Sequence, residues 1–163
     1  MTGAIWEFFG YTAEDGSAVA LQSAKERYCP FVAGPCEKRL SNGELAGVCS
    51  LKPAKSSPVI CCPLRLYADD YAILRDVSRM AFGHDYALID GPQASLRVRE
   101  TGNRMVAVFG KKRGRELRLP MRDGRGGYFV DWVLALLDED GRLVEFVAVE
   151  VQTIDTTGYY RNG

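Results

Sequence analysis

A chain of 163 residues has room for one domain, or one domain with a small satellite. Apolar residues make up 47% and charged residues 26%, the balance of a globular chain rather than a disordered or collagenous one. Twenty-one basic residues offset twenty-one acidic ones, so overall charge neither invites nor excludes nucleic acid, and no apolar run approaches a membrane span.

The first ten residues carry no basic n-region and no long apolar core, so no targeting segment is read there. A cytoplasmic setting with reduced thiols is the expectation. Residues 1–28 hold an aromatic cluster, Trp6, Phe8, Phe9 and Tyr11, followed by a looser stretch ending at Lys25-Glu26-Arg27. The cluster reads as packing on the core, carried by a short helix or strand.

All five cysteines fall between positions 29 and 62, interspersed with turn formers: Pro30, Gly34-Pro35, Asn42-Gly43, Gly47 and Ser56-Ser57-Pro58. Such a stretch has too few apolar side chains to hold itself together. An odd cysteine count in a cytoplasmic setting argues against a disulfide framework and for a tetrahedral metal–thiolate site, with scattered free thiols as the competing reading. No Cys-x-x-Cys is present. Adjacent residues of an extended segment point opposite ways, so one of Cys61 and Cys62 is expected to ligate.

The spacing predicts a helix from Asp69 to Phe82, capped by Asp69 or Asp70 and ended by Gly83. His84, the sole histidine, follows as a capping or surface residue. Nucleases built on a histidine base find little material here. After a turn at Asp90-Gly91-Pro92, Ser95–Arg99 and Arg104–Phe109 read as strands, and Leu117 and Leu119 as part of a third. Seven basic residues between Lys111 and Arg125 stand against two acidic ones. Lys111, Lys112, Arg113 and Arg115 form either a solvated hairpin tip or a set of DNA phosphate contacts. No Walker-type spacing is present, which argues against an ATP site.

From Tyr128 to Gln152, two β-branched and aromatic runs flank Asp140-Gly141, a strong hairpin signal. A two-residue turn there sets Glu139 opposite Arg142 and Asp131 opposite Glu150, with Gln152 on the same face. Like charges facing each other in a sheet are destabilising. Either both carboxylates reach solvent at an edge, or a divalent cation such as magnesium sits between them. Val147, Val149 and Val151 on the other face call for a second covering layer, so the chain reads as the front portion of a longer protein.

The order helix, strand, strand with Asp, strand with Glu-x-polar is that of the PD-(D/E)XK nuclease core. More narrowly, the chain resembles the N-terminal part of the NotI-like type II restriction endonucleases. The matching stretches are Glu7-Phe8-Phe9-Gly10, Cys29-Pro30-Phe31, Gly47-Val48-Cys49, Cys62-Pro63 with Arg65, Phe129-Val130-Asp131-Trp132 and Glu150-Val151-Gln152-Thr153-Ile154-Asp155.

The resemblance implies an α/β fold: a restriction-endonuclease-like core of helix plus mixed sheet, incomplete at its C-terminus, whose antiparallel hairpin carries the active-site carboxylates. It divides the chain into an aromatic segment (1–28), a four-cysteine metal-binding module (29–67) and a catalytic core (68–163). Cys29, Cys36, Cys49 and Cys62 become the ligands of a structural iron, with zinc as the alternative, and the Cys-Pro match selects Cys62 over Cys61. Asp131, Glu150 and Gln152 take catalytic roles, with magnesium on Asp131, Glu150 and the Val151 carbonyl. Glutamine stands where most of the superfamily has lysine; it can orient a water but brings no charge. Glu116 is either a helper for a second ion or a surface carboxylate among arginines. The implied activity is magnesium-dependent, site-specific cleavage of double-stranded DNA by a homodimer. A non-catalytic metal-stapled DNA-binding module, or an inactive fragment, is the second reading, and a thiolate-iron redox protein a weaker third.

Overall fold

A computed structural model of the chain describes residues 4–39, 42–110, 117–120 and 127–151, with 117–120, 127 and 128 as backbone alone. It is a mixed α/β structure whose described residues fall into two compact units, one of residues up to 70 together with Val151, the other within residues 71–150.

In the first unit, β1 (Ala4–Phe8) and β2 (Tyr11–Thr12) form a hairpin through Phe9-Gly10, and α1 (Ala18–Glu26) follows. Ser17 starts α1 in the way its residue type favours: its backbone is extended and its hydroxyl accepts from the Ala20 N–H. One short antiparallel pair, β3 (Tyr28–Cys29) with β4 (Gly34–Pro35), precedes β5 (Val48–Lys52) and β6 (Val59–Ile60). The four-stranded sheet runs β2-β1-β5-β6, all antiparallel. A 3-10 turn, Pro63–Tyr67, buries Leu64 and Leu66. The aromatic segment is thus strand and helix together, and several of its rings remain exposed, Trp6 and Phe8 among them.

Helix α2 (Ala68–Phe82) confirms the helical periodicity, with Leu74 and Ser78 fully buried. Asp69 and Asp70 lie inside its first turn rather than at its cap. Then come β7 (Leu88–Asp90), α3 (Gly91–Thr101), β8 (Met105–Gly110), β9 (Leu117–Pro120), β10 (Gly127–Val130), β11 (Trp132–Leu137) and β12 (Leu143–Val149). The second sheet runs β12-β11-β8-β7, with β7 parallel to β8 and the other pairs antiparallel. All six residues of β11 are buried, as befits a central strand, whereas β12 is largely exposed. Ala94 and Val98 of α3 pack with Ala107, Ala135 and Leu137 of the sheet.

Three expectations change. Ser95–Arg99 is not a strand but part of α3. Leu96 and Val98 alternate with two arginines, which mimics period two, yet the buried positions are Ala94 and Val98, four apart. Pro92 in the first turn and Gly102 in the left-handed C-terminal position, donating to the Val98 carbonyl, bound a helix. The run from Tyr128 to Leu137 is two strands: β10 pairs with β9, and the chain bends at Asp131 before β11 pairs with β12. The β11–β12 turn is also wider than two residues. Asp138 and Arg142 close a three-residue loop, with Gly141 at φ 79° donating to the Asp138 carbonyl.

That loop alone would shift the ladder by one residue. A register irregularity between Leu136 and Leu137 cancels the shift, because Leu137 pairs with Leu143 while Leu136 pairs with Glu145, leaving Val144 as the extra residue. Beyond it, Trp132 faces Val149 and Val133 faces Ala148, the register that a two-residue turn would have produced.

Candidate active site and thiol cluster

The ladder of β11 and β12 delivers Asp131 and Glu150 to one end of the hairpin. Asp131 follows β10 and immediately precedes Trp132; Glu150 immediately follows Val149, the partner of Trp132. The Asp131 N–H donates to Glu150 Oε1 at 3.4 Å. Asp131 is half-buried and Glu150 exposed. Phe109, Val133, Ala135, Leu143 and Phe146 line a shallow apolar hollow of about 250 Å³ on this part of the sheet. Trp132 anchors the end from within. It is 1% exposed, meets Tyr71 edge-to-face with centroids 6.2 Å apart, and lies over Gly110, where a Cβ would come within 2.5 Å of its ring. The residue next to Asp131 is therefore immobilised by packing, which limits where the carboxylate can go.

Such a pair offers hard oxygen donors to a divalent cation. Gln152, Glu116 and the basic residues Lys111, Lys112, Arg113 and Arg115 lie outside the described residues. Val151 is half-buried and falls on the other side of the division between the two units.

In the first unit the cysteines are free thiols, four buried and Cys36 half-buried. Cys29 and Cys62 share a cluster with Leu64, against which Phe31, Val32, Cys36 and Tyr67 pack. Burial pushes the Cys29 thiol up, opposed by the Phe31 and Val32 N–H groups and reinforced by Cys36. Burial likewise drives Cys49 up to about 12, with Cys62 and Cys29 acting the same way and the Gly10 N–H against it. Cys62 is raised by burial, eased by the Leu64 N–H and Lys38, and raised further by Cys29 and Cys36.

Cys61 behaves differently. Its thiol is raised by burial, eased by Lys38 and raised by Glu7, with no other thiol among the influences on it. Its Sγ faces the Val48 carbonyl at 3.9 Å, and Lys38 donates to its carbonyl oxygen. Among the described residues no three His, Cys, Asp or Glu side chains are already arranged about an ion. The donor set nonetheless fits a soft metal in kind: Cys29, Cys49 and Cys62 each feel another thiol of the set, and backbone N–H groups are turned toward all three.

Sequence reading passed over the role of Glu7. Its carboxylate accepts from the Ser50 hydroxyl at 2.7 Å and from Arg65 Nε at 3.1 Å, both side chains largely buried. The Arg65 guanidinium also lies 5.1 Å from the centre of the Phe31 ring. This pair joins β1 to the 3-10 turn that follows Cys62. The available signal was a lone charge inside each of two apolar runs, Trp-Glu-Phe-Phe and Leu-Arg-Leu, since a buried charge needs a partner.

Among the described residues no helix is long and apolar enough to cross a membrane. No curated protein matches the chain. The family model described as restriction endonuclease NotI matches residues 16–162, which takes in all five cysteines, the hairpin and both carboxylates. The chain belongs to the NotI restriction endonuclease family, a family of site-specific, DNA-binding type II restriction enzymes.

Proposed function

We propose that the chain carries the catalytic residues of a magnesium-dependent endodeoxyribonuclease that cuts double-stranded DNA at a specific site. One observation carries the reading: in a chain of this family, β11 and β12 bring Asp131 and Glu150 together at one end of a hairpin whose central strand, β11, is buried. On this reading β8, β11 and β12 with their helices are the restriction-endonuclease-like core of the PD-(D/E)XK type.

Asp131, Glu150 and the Val151 carbonyl would hold the magnesium ion, which when bound polarises the scissile phosphate and acidifies a water. Gln152 would orient that water through its amide, supplying a hydrogen bond but no charge. Packing of Trp132 holds the adjacent Asp131 in place, so little reorganisation is needed when the phosphate arrives. Lys111, Lys112, Arg113 and Arg115 would add salt-dependent phosphate contacts.

Cys29, Cys36, Cys49 and Cys62 would hold a structural iron or zinc that staples a segment with little apolar core. Recognition of a two-fold-symmetric site by a homodimer, in the cytoplasm, completes the proposal.

The test is incubation of long DNA with the full chain and magnesium, beside Asp131→Ala. Discrete fragments that depend on Asp131 are expected. Cleavage by the Asp131→Ala protein at the parent rate would overturn the assignment.

A further inference from the structure

The first unit contains an open hollow of about 530 Å³ lined by Phe8, Phe9, Arg27, Arg39 and Glu44. Its makeup is unlike that of a structural void. Phe8 and Phe9 meet edge-to-face with centroids 4.6 Å apart, and Phe8 remains 38% exposed at the end of β1. Arg39 donates from Nη1 to the Gly43 carbonyl at 2.8 Å, which ties its guanidinium to that carbonyl. Glu44 Oε2 is held by Asn42 Nδ2 at 2.8 Å. Among the described residues no carboxylate pairs with Arg27 or Arg39.

Arg27 has an additional peculiarity. It ends α1 at φ 56°, ψ 37°, the left-handed position where glycine is the comfortable residue. Its backbone is fully engaged there: its N–H donates to the Ala24 and Ser23 carbonyls, and its carbonyl accepts from the Cys36 N–H at 2.8 Å. Phe9, which lines the same hollow, is also left-handed at φ 45°, held by its N–H on the Gly47 carbonyl. Two non-glycine residues in a costly conformation thus face one hollow. Nothing in the backbone bonding requires an arginine side chain at position 27.

We propose that this hollow is a second DNA-contact site, in which Arg27 and Arg39 take one backbone phosphate and Phe8 packs against the adjoining sugar. It rests on the preceding functional reading for its partner, DNA, and lies in a different part of the chain from the carboxylate pair. Planar guanidinium groups suit phosphate oxygens, and an exposed aromatic edge suits a sugar face. Glu44 leaves the three charged side chains at a net single positive charge, so the site takes one phosphate weakly and without reading sequence.

The experiment measures binding, in buffer without magnesium, of the full chain to fluorescein-labelled duplexes of two unrelated sequences over a salt series. Arg27→Gly is the informative variant, because it removes the guanidinium while giving the left-handed position its preferred residue. The expected result is a raised thermal midpoint together with a roughly fivefold loss of affinity for both duplexes, and a salt slope smaller by about one. Arg39→Ala weakens binding similarly, and Glu44→Gln strengthens it. Unchanged affinity and slope in folded Arg27→Gly and Arg39→Ala proteins would overturn the proposal, as would a parent chain that binds neither duplex. Since binding is read rather than cleavage, arginine-dependent binding by a protein that never cuts DNA supports the hollow while removing the nuclease reading.

Discussion

The Asp131 N–H donates to the Glu150 carboxylate one step beyond the paired residues Trp132 and Val149. The bond sets the Glu150 carboxylate against the Asp131 backbone, and on the proposed function the two carboxylates share one end of the hairpin, where like charges cost stability until a cation joins them. Glu150→Gln is therefore expected to raise metal-free stability by about 0.2–1 kcal/mol. Magnesium is expected to raise the thermal midpoint of the parent chain and not that of the variant. Cleavage should fall by about 100-fold or more, corresponding to ~2.7 kcal/mol of transition-state stabilisation. Thermal melts with and without magnesium, paired with a cleavage time course, check all three.

The thiols separate into four and one. Cys36 acts on Cys29 and Cys62, and Cys29 and Cys62 act on Cys49, whereas no other thiol is among the influences on Cys61. Metal analysis of single Cys→Ala proteins should find Cys61→Ala retaining its metal and each of the other four depleted. Equal depletion at Cys61 and Cys62 would refute the choice.

The metal-free protein should lose stability at alkaline pH. Burial holds the Cys49 thiol up at about 12 against an ordinary 9.0, so the fold favours the protonated form. The unfolded chain releases this proton first. The contribution is complete below pH 9.0 and is lost as pH rises toward 12. Denaturant midpoints followed across that window should fall, and Cys49→Ala should fall less steeply, the remainder coming from Cys29, Cys61 and Cys62, which burial also raises.

Helix α3 offers a direct check on periodicity. Val98 is 0% exposed and Leu96 65% exposed. Val98→Ala should cost about 1–3 kcal/mol through lost burial and a residual cavity, while Leu96→Ala stays within about 0.5 kcal/mol. In a strand the two would share a face and cost alike. Urea titrations of the two variants distinguish the cases.

Much of this protein is legible in its residues because short-range chemistry decides it. The helix from 69 to 82, the strands around Met105–Gly110 and the hairpin about Gly141 follow from periodicity and turn chemistry. Three-dimensional packing decides the remainder. Ser95–Arg99 alternates like a strand, yet Pro92 and Gly102 bound a helix and the sheet needs Ala94 and Val98 on one side. Asp131 comes level with Glu150 because a three-residue loop and an extra Val144 offset each other, which no local rule foretells. Glu7 finds Arg65 fifty-eight residues away, and Arg27 comes to line one hollow with Phe9, through contacts made only when distant segments close. Sequence pattern reports the preferences of neighbours along the chain; which charge meets which partner depends on long-range burial, where one wrong register exposes an apolar face.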